Sequence, residues 1–106
     1  MKLILPVTAL TTLSLLYTSS THAHFPLMEC WQESEQVICE AGYSDGSKAV
    51  DYAVQMYDYD DNLIAKQNTD DLSKVSFAHP NKEFYLVFDS GHEYPVEVDV
   101  VEISAR

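Results

Sequence analysis

The chain has 106 residues, of which 17 are acidic and six basic, giving a formal net charge of −11. A length of this order allows one small domain. A polyanion of this kind repels nucleic acid and anionic lipid, which leaves cations and basic protein surfaces as the partners its charge admits.

Residues 1–23 have the three parts of a secretory signal. Lys2 is the positive region, the apolar region runs from Leu3 to Leu16, and the polar stretch from Tyr17 places Thr21 and Ala23 where small residues are required. Pro6 and several threonines break the apolar run, which is too short to span a bilayer. Leu27-Met28-Glu29-Cys30 puts a large acid where a lipidation site needs a small residue. The expectation is a signal peptide over 1–23, cleavage after Ala23, and a periplasmic or secreted protein that does not insert in the membrane afterwards. One domain, residues 24–106, would remain. Its 83 residues hold five basic and 17 acidic side chains, a formal charge of −12.

No stretch has the period of an amphipathic helix. The chain instead shows short runs of alternating polarity, rich in Val, Tyr, Phe and Ile, separated by turn residues. Residues 24–35 have no clear period and are expected to lie along the domain, pinned by Cys30. The first predicted strand is 36–41, ending at Gly42. The second is 50–59, with Val50, Tyr52, Val54 and Met56 on one face and Asp51, Ala53, Gln55 and Tyr57 on the other. Asp60-Asp61-Asn62 predicts a turn, from which 63–68 returns as a hairpin partner. Asp70-Asp71 turns the chain again, into a short strand over 74–77. The loop His79-Pro80-Asn81-Lys82 precedes the strongest strand, 83–89, with Phe84, Leu86 and Phe88 on one face. A second loop, Ser90-Gly91-His92-Glu93-Tyr94-Pro95, leads to a last strand over 96–103. There Val96, Val98 and Val100 oppose Glu97 and Asp99. Six short strands at this spacing predict an all-β fold, a small antiparallel sandwich.

A domain of this size buries only about 60% of its unfolded surface and gains from a covalent staple. Cys30 and Cys39, nine residues apart, can supply one, and export makes a disulfide the default reading. The rival is a soft metal pair, which the spacing fits poorly. Trp31, next to Cys30, is expected to pack on the disulfide.

The run 50–59 with its turn Asp60-Asp61-Asn62, then Thr69-Asp70, Phe77 and Glu83-Phe84-Tyr85-Leu86-Val87, resembles the transthyretin-like or carboxypeptidase-regulatory-like β-sandwich over residues 36–103. That family commonly places a glycine between the Thr-Asp pair and the phenylalanine, where this chain has Ser73. The resemblance implies an Ig-like sandwich serving as an accessory or binding module more often than as an enzyme. Exported forms with an early histidine and a late Gly-His, here Gly91-His92, look like periplasmic components of nickel or cobalt uptake.

Cleavage after Ala23 would make His24 the first residue, and an amino-terminal histidine chelates a metal through its α-amine and ring Nδ1 together. An imidazole from His92 or His79 would complete a three-nitrogen site suited to Cu(II) or Ni(II). Pro26 lacks the N–H that successive amide ligation would use, so the site would be a histidine brace with a distant ligand. Glu93, Asp89, Met28 and Glu29 are candidate extra ligands or supporting partners. The plainer readings are an exposed turn residue for His79 and a polar loop residue for His92. The acidic turn at Asp58 lacks the glycine and the final glutamate of a calcium loop, since Leu63 and Thr69 stand there. Tyr57, Tyr59 and Tyr85 are explained by packing, although they could form a carbohydrate platform.

There is no G-x-S-x-G and no glycine-rich phosphate loop, and both cysteines are spoken for. The sequence therefore predicts no enzyme. It predicts an exported metal-binding sandwich, a periplasmic metal carrier or an accessory to a membrane transporter. The alternative is an acidic interaction module that docks on a basic envelope protein without metal.

Overall fold

The computed structural model describes residues 24–106; the signal peptide expected over 1–23 lies outside the described residues. The chain folds as a small all-β sandwich with one disulfide, Cys30–Cys39. Eight strands follow in order: β1 (Pro26–Glu33), β2 (Gln36–Tyr43), β3 (Ala53–Asp58), β4 (Leu63–Asn68), β5 (Lys74–Ala78), β6 (Phe84–Phe88), β7 (Val96–Asp99) and β8 (Ser104–Ala105). One sheet has the order β5-β2-β1-β8 and the other β4-β3-β6-β7. All neighbours are antiparallel except β1 and β8.

Alternation decides what goes inside. Val37, Cys39, Ala41 and Tyr43 of β2 face Val54 and Met56 of β3 and Phe84, Leu86 and Phe88 of β6 across the sandwich, with Val75, Phe77 and Val98 closing the sides. Burial of such side chains is worth roughly 1.5–3 kcal/mol each, and they hold the two sheets together.

Three stretches depart from the sequence reading. Residues 24–35 do not lie along the sandwich as loose chain; β1 is an inner strand, paired with β2 over its whole length and with β8 on its other side. Successive side chains of a strand point to opposite faces. Cys30 therefore joins the core while Trp31 faces outward, and the tryptophan does not pack on the disulfide. It is buried all the same, at 4% exposure, under the Arg106 guanidinium 3.9 Å from its ring centroid. The second departure is the predicted strand over 96–103. Asp99 accepts from the Val101 N–H and Glu102 accepts from the Asp99 N–H, a capping box that opens a 3-10 turn, Val100–Glu102. The chain then crosses to the first sheet as β8.

β3 also starts later than expected, at Ala53, because Asp51 has a φ of 64° that no extended strand admits. The turn after it is held by Asp58, whose carboxylate accepts from the Asp60 and Asn62 amides at 2.9 Å each. A carboxylate turned inward on its own loop is occupied, which agrees with a turn in place of a calcium loop.

Candidate functional site

One end of the sandwich gathers the amino-terminal approach, the end of β2 and the end of β6. Phe25 and Ser44 exchange hydrogen bonds there, the Phe25 N–H to Ser44 Oγ at 3.0 Å and the Ser44 N–H to the Phe25 carbonyl at 2.9 Å. This fixes His24 beside the turn that leaves β2. The His24 ring stacks on Tyr43, centroids 4.5 Å apart and planes 14° from parallel. Its Nδ1 lies 2.9 Å from Asp45 Oδ2. The other oxygen of Asp45 accepts from the Ser47 hydroxyl at 2.7 Å and the Ser47 amide at 3.0 Å. These Ser47 bonds, with His24 adding to them, hold the Asp45 carboxyl well below the usual carboxylate range.

Beneath the histidine, Tyr43, Tyr52 and Phe88 meet edge to face in a three-ring cluster. The Tyr43 hydroxyl is buried without a well-formed hydrogen bond, beside Tyr52 and Ser90. Burial first, and the Tyr52 phenol second, push Tyr43 up to about 12. Ser90 opens the loop that carries His92, and its Oγ accepts from the His92 N–H at 3.4 Å. His24 and the loop of His92 thus belong to one end of the molecule.

His79 belongs to the other. Its N–H donates to the Glu35 carbonyl in the β1–β2 turn, its Nδ1 meets the Pro80 carbonyl at 2.8 Å, and its ring edge rests on Phe84. β2 runs from that turn to Tyr43, its eighth and last residue, roughly 23 Å of extended chain. Of the other candidate ligands, Glu29 bonds Arg106 on the outer sheet face, Met28 packs against the core, and Asp89 accepts from the Gly91 N–H. Among the described residues, no three His, Cys, Asp or Glu side chains gather closely enough to hold a metal ion by themselves. The sequence reading missed Asp45. The signal was Ser44-Asp45-Gly46-Ser47, a turn tetrad in which Gly46 takes a φ of 90°.

A second feature lies on the outer face of β3, β6 and β7. Register places Tyr57, Tyr85 and Asp99 in one row across the three strands, with Gln55, Val87 and Glu97 in the next. Tyr57 and Tyr85 stack at 5.4 Å. Tyr59, Tyr85, Glu97, Asp99 and Glu102 line a groove of about 380 Å³. The Tyr59 hydroxyl donates to Asp99 at 2.6 Å and the Tyr85 hydroxyl to Asp61 at 2.7 Å. These carboxylates push both phenols up to about 12. The Tyr59 bond in turn lowers Asp99.

Among the described residues no helix is long and apolar enough to cross a membrane. Comparison with protein-family models, with curated proteins and with solved structures returns no match for this chain.

Proposed function

We propose that this chain binds a transition metal, Cu(II) or Ni(II), at the sandwich end that carries His24 and His92, as an exported metal carrier or an accessory to a metal transporter. The observation that carries the reading is the seated His24 imidazole, which stacks on Tyr43 with the Asp45 carboxylate 2.9 Å from its Nδ1. A ring already held in place loses little freedom on taking a ligand. Cleavage after Ala23 would add the α-amine of the same residue, so a brace needs only one histidine for its first two nitrogens. Asp45, kept ionised by Ser47, offers an oxygen at the same place, and the His92 loop rises next to the ring that His24 covers. Nitrogen donors with one carboxylate suit Cu(II) and Ni(II), while the thiolates that softer ions prefer are consumed in the disulfide. His79, at the far end, takes no part. The Gly91-His92 pair and the early histidine, which resemble exported nickel- or cobalt-uptake components, support the same reading from sequence.

The test uses protein whose first residue is His24, titrated with Cu(II) and with Ni(II) and read by non-denaturing intact mass and calorimetry. His24→Ala, and one residue added before His24, are each expected to abolish tight binding. Asp45→Asn or His92→Ala should weaken it about tenfold or more, as loss of a ligand or its supporting partner does. His79→Ala should leave it unchanged. Undiminished affinity in both the His24→Ala and the extended protein would remove the reading.

A further inference from the structure

We propose that the outer face of β3, β6 and β7 is a docking groove for an extended, arginine- or lysine-bearing segment of a partner protein, laid along the free edge of β7. The inference rests on different residues from the metal reading and stands or falls without it.

Three observations meet at this face. First, β7 is an edge strand, hydrogen-bonded to β6 and to no other strand among the described residues. Its other side has no strand partner among the described residues, and an added strand would pair there short of Asp99, whose N–H is already taken by Glu102. Second, Glu97 and Asp99 are alternate residues of β7, so both carboxylates face the groove at the repeat of an extended chain, roughly 6.8 Å. A partner strand with basic side chains at alternate positions matches that repeat. Third, Tyr59 and Tyr85 line the groove and Tyr57 stacks on Tyr85, and tyrosine faces attract guanidinium and ammonium groups. Among the described residues no lysine or arginine lines the groove. Lys66, on the same sheet face, sits across β3 beside Gln55.

The charge also selects against the commonest wrong occupant. Two copies of this chain pairing β7 to β7 would bring Glu97 and Asp99 against the same acids, which is costly. A basic segment gains from the contacts that a second copy loses.

The experiment titrates the folded protein with a blocked peptide carrying arginine at alternate positions, with affinity read by calorimetry and location by amide chemical shifts. The expected result is a salt-sensitive complex whose shifts centre on β7 and on Tyr59 and Tyr85, and which survives a chelator. Glu97→Lys should weaken it about tenfold or more, and Tyr85→Leu several-fold, while Glu40→Lys on the opposite sheet leaves it within about twofold. Four results would each overturn the proposal: no peptide binding, shifts centred elsewhere, equal losses from Glu97→Lys and Glu40→Lys, or spermine binding as tightly as the peptide. The last would assign the groove to small soluble polyamines.

Discussion

Ser73 shows how one side chain can replace another's backbone freedom. Its φ of 65° lies in the left-handed region that glycine enters freely and that costs other residues about 1–2 kcal/mol. This is the position at which the sequence resemblance places a glycine. The serine is 2% exposed, and its Oγ accepts from the Ala49 N–H at 3.1 Å while its carbonyl accepts from the Ala41 N–H at 2.9 Å. The hydroxyl thus satisfies a buried donor that glycine would leave bare, and this offsets the backbone cost. Ser73→Ala keeps the strain and loses the acceptor, so it should destabilise by about 1–3 kcal/mol. Ser73→Gly loses the acceptor but relieves the strain, so its loss should be clearly smaller. Equilibrium urea unfolding of both variants decides the matter; an alanine variant no less stable than the glycine one would refute the account.

The strands that could be read in the sequence are those with one wet face and one dry face. β6 has Phe84, Leu86 and Phe88 fully buried and Tyr85 and Val87 half-buried; β4, exposed along nearly all its length, is placed at residues 63–68 by its turn signals instead. β1 was illegible because its middle is covered on both sides. Cys30 enters the core and Trp31 is roofed by Arg106, so the apolar and polar alternation disappears where it should be plainest. β8 is two residues long, and its pairing with β1 comes from a crossing between sheets that only the Asp99-Val100-Val101-Glu102 capping box could have announced. The candidate site divides in the same way. Residue type pointed to His24 and His92, while their common end and the Asp45 contact arise from long-range pairing that no local pattern records. The disulfide binds β1 to β2 at directly opposed positions, Cα atoms 4.1 Å apart, and so fixes the register of the hairpin that presents His24. By loop-closure entropy, replacing Cys30 and Cys39 together with alanine should cost about 2–3 kcal/mol. Denaturation of the double variant against the oxidised protein measures it, and a difference well under 1 kcal/mol would mean that strand pairing alone holds the register.

At the scale of the molecule, a chain with 17 acids and five bases in its described residues keeps its stability through carboxylates that must stay ionised and phenols that must stay neutral. Asp58 is lowered chiefly by the Asn62 amide, Asp70 by the amides of Lys74 and Leu72, Asp99 by the Tyr59 hydroxyl, and Asp45 by Ser47. A group whose folded pKa lies below its unfolded value contributes stability above the unfolded value, here 3.8, and loses it as pH falls through the folded one. Tyr43, Tyr59 and Tyr85 obey the opposite sign. Raised from 10.0 to about 12, they contribute fully below pH 10 and lose that contribution as pH climbs toward 12. Tyr43 draws on the core and the other two on the acidic groove, so alkali attacks the sandwich from within and from one face together. The expected profile of the thermal midpoint is a fall in acid that sets in below pH 3.8 and a separate fall between pH 10 and 12 accompanied by phenolate absorbance. Tyr59→Phe, which removes one phenol that must stay neutral and its bond to Asp99, should lower the neutral-pH midpoint and shrink the alkaline fall in the same protein. An alkaline fall of unchanged size in that variant would mean that the Tyr59–Asp99 bond makes no contribution to the stability of the fold.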